Sequence, residues 1–309
     1  MTRSGSPASS DPSLAAEPSG RAEASPAPPS RTRPQVARLS PQRMAAERGG
    51  AREGLAWLGR EPEVRASLLV RAGALVARAL LLGVLRFRID RSGSELLPSG
   101  GYLLVGAVHR GWMDPFLILA SLPLEPRVWF LGSGPSAFDR RWKELLLHRL
   151  GGMLPVWRGG VGIASHVASA RAVVDAGGVF VLLPEGGVTG PPDRLAPLRF
   201  GAAAIALRTG APIVPFVMVG SAELYVGKRF ATRILPATSA AELLGHAWDG
   251  VLPPPDSPAE IDLAKRLTQR FADVLGPEVT ALYPRTVDPP DRPRRLPGLT
   301  RLLLPPRRG

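Results

Sequence analysis

GYLLVGAVHRGWMDPFLILA, residues 101–120, holds two apolar runs, one stopping at His109 and one beginning after Asp114. The first run has the length and β-branched content of a buried strand, and the second starts with the Asp-Pro pair that opens helices. Strand, short polar turn, helix is the unit of an α/β fold, so this stretch sets the expected class. Two readings of its polar residues are open. Asp114 can be the N-cap of the helix, with Pro115 in the first turn and His109 idle. Alternatively, both side chains share the mouth of one βα turn, the carboxylate orienting the imidazole. Five residues correspond to about 140° on a regular helix, so the second reading requires His109 to lie before the helix begins.

Outward from this stretch the same alternation continues. LRFRID, YLLVGAV, PRVWFLGSG, MLPVWR, VFVLLP (179–184) and APIVPFVMVG read as strands. PFLILASL, AFDRRWKELLLHRLG, Gly162–Ala176, RFGAAAIALRTG ended by Gly210, and a last segment near Ala259–Leu275 read as helices. In such sheets ligands bind beyond the carboxyl ends of the strands. His109 to Asp114, Arg158 and Glu185 all fall at such ends, so their loops are expected to face one cleft.

The flanks differ in composition. Residues 1–60 are rich in Ser, Pro, Ala, Gly and Arg without apolar period, and are read as a disordered tail. DPPDRPRRLPGLTRLLLPPRRG, 288–309, continues a second basic, Pro-rich tail taken to start at 285 and broken only by Leu302, Leu303 and Leu304. The chain carries a formal charge of +13; residues 1–60 hold nine Arg against five acids, and 285–309 seven Arg against two. Most of the excess charge therefore sits in the tails, and the domain between, 61–284, is only mildly basic. Such tails suit an anionic membrane surface. Nucleic acid is not expected as a partner: there is no cysteine, hence no zinc-finger spacing, and no basic helix followed by heptads. The absence of cysteine also removes disulfides and Cys-ligated metal from consideration.

No apolar leader is visible in MTRSGSPASSDPS. Residues 64–87, VRASLLVRAGALVARALLLGVLRF, are long enough to span a membrane, but Arg71 and Arg78 interrupt them. Each would cost about 2.5–3.5 kcal/mol at the centre of a spanning helix. Seven residues apart, the two arginines share a face, which fits an amphipathic helix lying in the headgroup plane.

Four blocks in one order carry a family resemblance: HRGWMD (109–114), GGMLPVWRGG (151–160), LLPEGG (182–187) and PLRFGAAAIALRTGAPIVPF (197–216). Together they resemble the glycerolipid acyltransferases, the lysophosphatidic acid acyltransferases and their relatives. The resemblance implies an αβ sandwich around a mixed sheet and transfer of a fatty acyl group from acyl-CoA or acyl-ACP to a lysophospholipid hydroxyl, by default that of 1-acyl-sn-glycerol-3-phosphate. It implies no metal and no bound cofactor. His109 would be the general base and Asp114 would orient it, the acceptor hydroxyl standing where a serine triad has its serine. An imidazole suits the task because its unperturbed pKa is near neutral. Arg158 and Arg199 would meet an acceptor phosphate, Glu185 its glycerol end, and Gly186 and Gly187 would let the backbone approach. The setting implied is peripheral, at the cytoplasmic side of the cell membrane. Two departures bear on the acceptor. Relatives usually continue the third block as Pro-Glu-Gly-Thr-Arg-Ser, whereas here Val188 stands where the second phosphate-binding arginine is expected. Val108, Arg110 and Gly111 likewise replace the usual neighbours of the histidine, leaving Arg110 or Arg194 as substitutes for the missing charge. The same chemistry on another lipid or glycolipid acceptor, and a non-catalytic lipid-binding protein on this scaffold, are the alternatives.

Overall fold

The computed structural model describes residues 65–111, 113–133, 147, 148, 152–156, 162–188 and 190–300, with isolated positions at 35, 36, 41, 44, 48, 49, 52, 55, 56 and 58. In chain order the elements are β1 (Gln35–Val36), α1 (Leu68–Arg78), β2 (Arg88–Ser92), β3 (Tyr102–Ala107), α2 (Asp114–Ser121), β4 (Val128–Ser133), β5 (Met153–Val156), α3 (Gly162–Asp175) and β6 (Val179–Leu182). They continue with α4 (Gly201–Thr209), β7 (Ile213–Val219), β8 (Arg229–Ile234), α5 (Ala240–Leu244), β9 (Val251–Leu252) and α6 (Pro258–Leu282). The helix read over AFDRRWKELLLHRLG lies, apart from Leu147 and His148, outside the described residues.

Seven strands form one sheet in the order β2-β8-β7-β3-β6-β4-β5. β3 to β7 are mutually parallel, while β8 runs antiparallel to β7 and parallel to β2. The sheet is therefore mixed, as the family resemblance implies. The central strands are apolar without interruption because both faces are covered. Leu103, Val105 and Ala107 of β3 enter one core with α3, α4 and α6. Tyr102 and Leu104, pointing the other way, enter a second core with Leu117 and Ile118 of α2 and Leu81. The result is three layers, helix–sheet–helix, with the carboxyl ends of β3 and β6 side by side.

The strand read at 229–234 is absent from the sequence reading. RFATRI has no apolar alternation of its own, and only its pairing with β7 and β2 makes it a strand. α6 runs seven residues beyond the predicted Leu275 and through Pro277. An interior proline costs about 3 kcal/mol. Val279 and Leu282, both buried, repay each about 1.5–3 kcal/mol by leaving water, which decides the matter in favour of a continued helix. Residues of the supposed first tail join the fold: Gln35–Val36 pairs with Val251–Leu252, and Leu58 is buried in the first core.

The second tail begins later than residue 285. Asp288 is buried and accepts hydrogen bonds from Tyr225 Oη and from Arg292 Nη1 at 2.5 Å. Lys228 Nζ donates to Thr286 O at 2.9 Å, Val226 N to Arg295 O at 3.0 Å and Leu224 N to Thr300 Oγ1 at 2.9 Å. Composition misleads here because the segment is held by polar groups placed one at a time, which leave no apolar period to read. Leu302, Leu303 and Leu304 lie outside the described residues.

The helix at 64–87 differs from the amphipathic reading in which side faces outward. Arg78 Nη2 donates to Leu119 O at 2.8 Å and to Leu122 O, carbonyls at the end of α2 that have no partner within their own helix. Arg71 pairs with Glu125 and donates to Ala66 O at 3.1 Å. The two arginines share a face, as their spacing predicts, and that face points at the domain. The outer face is apolar: Leu68 is 85% and Leu69 70% exposed, and Leu75, Val76, Leu80 and Val84 continue the stripe. No helix among the described residues is long and apolar enough to cross a membrane.

The Tyr225–Asp288 contact has a measurable consequence. Burial, then the Asp288 carboxylate, push the Tyr225 phenol up to about 12. The fold favours the protonated phenol, so its contribution is complete below the ordinary phenol pKa of about 10 and is lost as pH rises through about 12. A tyrosinate absorbance titration of the three-tyrosine chain should show a step near pH 12 that disappears in Tyr225→Phe; an unchanged titration would refute the docking of 285–300.

Candidate active site

β3 ends at Ala107, and His109 lies in the turn before α2, where it must lie if it is to meet Asp114. Asp114 is the first residue of α2, with Met113 in the N-cap position and Pro115 in the first turn. Its side chain does not cap that helix. Instead Oδ2 turns back and accepts from Arg110 N at 2.5 Å and Gly111 N at 2.9 Å, and lies 2.8 Å from His109 Nδ1. The N-cap reading of Asp114 is thereby corrected: two backbone donors from the turn fix the carboxylate, and the carboxylate fixes the ring. The imidazole Nδ1 then carries the proton donated to Asp114, leaving Nε2 with a lone pair. Nε2 makes no hydrogen bond among the described residues. The His109 side chain is 18% exposed, that of Asp114 only 1%. A ring held from a buried side and open on the other can take a proton from a bound hydroxyl.

Beneath the histidine lies a second carboxylate. Glu185 follows β6, the neighbour of β3, and its Oε2 accepts from His109 N at 2.9 Å. The same oxygen receives Arg110 Nη1, and Oε1 accepts from Ala196 N at 3.3 Å. Glu185 is buried with both oxygens committed inside the protein. In this structure it holds the histidine turn from below. Arg110, a suggested substitute for the missing phosphate-binding arginine, is also inward. Its guanidinium reaches Pro191 O from Nε at 3.0 Å and Nη2 at 2.8 Å, Arg194 O at 3.1 Å and His109 O at 2.7 Å. Every guanidinium nitrogen is used, and the side chain is buried against Glu185. Gly190 makes room for it, since a Cβ there would stand 3.1 Å from Arg110 Cζ.

Arg199 is exposed at the rim of the same loops, its amide donating to Pro184 O at 2.7 Å. Its side chain crosses Gly186, which has φ +61°; a Cβ there would meet Arg199 Cδ at 2.6 Å. Gly186 thus serves a left-handed turn and a close approach by arginine. Gly187 follows, partly exposed, and Val188 adds an apolar side chain beside it. Arg194 lies on an exposed loop. Arg158 and Trp112 lie outside the described residues. The structure thus brings together His109, Asp114 and Glu185 and places Arg199 over Gly186. Sequence reasoning missed Arg110 as the link between the two carboxylate loops. The available signal was an arginine directly after the histidine, facing an acid at the end of an adjacent parallel strand. No group of carboxylates and histidines able to hold a metal occurs among the described residues.

Residues 88–219, which enclose this site, match the family described as Acyltransferase. Among solved structures, the chain is similar in fold to the 1-acyl-sn-glycerophosphate (LPA) acyltransferase PlsC from Thermotoga maritima. The TM-score is 0.52 at 19% sequence identity, over 76% of this chain and 88% of that one. A search of curated proteins finds no match. Residues 88–219 thus carry an acyltransferase-type domain on a fold similar to that of the Thermotoga maritima enzyme.

The Arg110–Glu185 pair yields a test. Removing one partner strands a buried charge at a cost on the order of 3–5 kcal/mol, whereas replacing both by apolar residues of similar volume is often near neutral. Arg110→Met should therefore lower the thermal midpoint strongly, and Arg110→Met/Glu185→Met should recover much of it while remaining catalytically impaired, because His109 N loses its acceptor. Full activity in the double variant would show that the pair does not position the histidine.

Proposed function

We propose that the chain transfers a fatty acyl group from a thioester, acyl-CoA or acyl-ACP, to the hydroxyl of a lysophospholipid, with 1-acyl-sn-glycerol-3-phosphate as the default acceptor. The observation that carries this reading is the His109–Asp114 pair, with Nδ1 and Oδ2 2.8 Å apart and Nε2 unengaged. Nε2 takes the acceptor's hydroxyl proton as its oxygen attacks the thioester carbonyl, and Asp114 stabilises the imidazolium that forms. Collapse of the tetrahedral intermediate expels the thiolate, which recovers that proton, so the histidine is regenerated. No serine on the protein is acylated. Arg199, exposed above Gly186, and Arg158, two residues past β5 in the sequence, are the guanidinium candidates for an acceptor phosphate.

Val188 favours a second acceptor class. With Arg110 locked against Glu185, the arginine missing at 188 has no replacement in the loop interior. A charge-assisted contact of about 1.5–3 kcal/mol corresponds to roughly ten- to a hundredfold in affinity. A lysolipid with a masked phosphate, or a glycolipid hydroxyl, loses less by that change than a phosphomonoester does.

The membrane reading is kept with a changed reason. The stripe Leu68, Leu69, Leu75, Val76, Leu80 and Val84 is the surface offered to a lipid bilayer, each large side chain contributing about 1.5–3 kcal/mol on full burial. A bilayer is the occupant this surface fits, because the stripe lies on the domain whose substrates are lipids and carries no charged side chain. This reading makes the enzyme peripheral to the bilayer, and its placement at the cytoplasmic face rests on the family resemblance alone.

Two experiments test these statements. Purified protein with labelled acyl-CoA and a panel of lysolipids should turn over, and His109→Ala should lose about 10²- to 10⁴-fold in kcat with KM little changed. Undiminished turnover in His109→Ala would refute the mechanism; turnover confined to a phosphate-masked acceptor would select the second class. Leu75→Glu/Leu80→Glu should abolish flotation with liposomes while leaving the fold intact by circular dichroism, and unaltered flotation would exclude the stripe as the docking face.

A further inference from the structure

At the far side of the sheet from Glu185, strands β2 and β8 set Arg88 and Arg229 side by side in register. Like charges on neighbouring strand positions destabilise a sheet, so this pair calls for compensation. The protein supplies only part of it. Arg229 Nε lies 3.7 Å from Asp288, whose carboxylate already takes Arg292 and Tyr225, and Asp90 pairs with Arg285 at 3.2 Å. Arg88 has no carboxylate partner among the described residues. Four arginines, at 88, 229, 285 and 292, thus share two carboxylates, at 90 and 288. Arg88, Asp90, Arg229, Phe230 and Arg285 line an open cavity of about 380 Å³.

Its position is informative. β8 runs antiparallel to β7 with Val219 opposite Ala231, which puts Arg229 at the end of the sheet where β7 and β3 terminate. The cavity therefore opens on the same edge as His109, three strand spacings or about 14 Å away. Arg88 also lies only four residues beyond Val84, the last residue of the outward apolar stripe. Arg285 is delivered by the helical turn at 283–286 that continues α6, so the cavity is completed by the chain just beyond that helix.

We infer that the Arg88–Arg229–Arg285 cavity is a binding site for an organic phosphate, distinct from the acyl-transfer centre. Guanidinium groups converging from two strands and a turn match the oxygens of a phosphate ester, and an anion would relieve the repulsion between Arg88 and Arg229. Two sources of that phosphate meet the geometry. One is the phosphorylated nucleotide end of the acyl donor, its thioester reaching His109 through the extended pantetheine arm. The other is the headgroup of a bilayer phospholipid beside the apolar stripe. Both rest on the acyl-transfer and membrane reading above, but the site itself is tested without turnover.

The test compares the full chain with Arg88→Gln and Arg88→Gln/Arg229→Gln. Calorimetric titration with CoA and with 3′-dephospho-CoA reads the first source. Sedimentation with phosphatidylcholine vesicles, with and without phosphatidylglycerol, reads the second. The double variant should weaken one of these interactions about tenfold or more. Loss confined to CoA assigns the nucleotide phosphate, and loss confined to phosphatidylglycerol vesicles assigns the headgroup. Arg88→Gln alone should leave the thermal midpoint of the unliganded protein unchanged or slightly higher, because it removes a repulsion. The inference is overturned if the double variant binds CoA and anionic vesicles as the parent does, or if Arg88→Gln lowers the midpoint, which would mark Arg88 as structural. His109→Ala should bind CoA like the parent, so failure of the acyl-transfer reading and failure of this site give different results.

Discussion

One carboxylate oxygen organises the site. Asp114 Oδ2 gathers two backbone amides and an imidazole nitrogen, and each contact limits the others. The amides of Arg110 and Gly111 can reach it only if the chain turns sharply after β3, and that turn delivers His109 with its Nδ1 toward the carboxylate. The tautomer, the ring plane and the direction of the free nitrogen are thus consequences of backbone geometry. The parallel sheet makes this possible by ending β3 and β6 together, so that Glu185 supports the turn from the strand next door. The imidazole rests on two anchored acids, and only the upper one touches the ring.

The lower acid links the site to the loop at 190–196. Arg110 connects Glu185 to the carbonyls of Pro191 and Arg194, and Gly190 leaves the space in which the guanidinium lies. Three loops are joined by one buried cation. Displacing any one of them would disturb the histidine, so the three loops are mechanically connected here.

Much of the fold and the central pair were legible in the sequence, for identifiable reasons. Apolar runs such as YLLVGA and VFVL are buried on both faces, and burial of that kind writes itself into composition. His109 and Asp114 were legible through the resemblance of HRGWMD and three further blocks to the acyltransferases, and a spacing of five then required His109 to lie in the turn before the helix if the two were to meet. What stayed hidden depends on contacts distant in sequence. RFATRI is a strand only through its neighbours, and the segment at 285–300 is docked through Asp288, a single acid among prolines and arginines. Arg110 looked available for substrate because nothing local reveals that Glu185, seventy-five residues later, claims it. The arginines of α1 were correctly put on one face, but periodicity cannot say which face looks inward.

That orientation of α1 has a physical corollary. With its guanidiniums tied to the carbonyls that end α2 and to Glu125, the helix carries an outward stripe of hydrocarbon flanked by the half-exposed Arg71–Glu125 pair. Adhesion through such a surface is indifferent to ionic strength, unlike the usual basic amphipathic anchor. On the bilayer docking proposed above, it would respond instead to gaps between lipid tails, and so to bilayer curvature and to the wedge-shaped lysolipids that create those gaps.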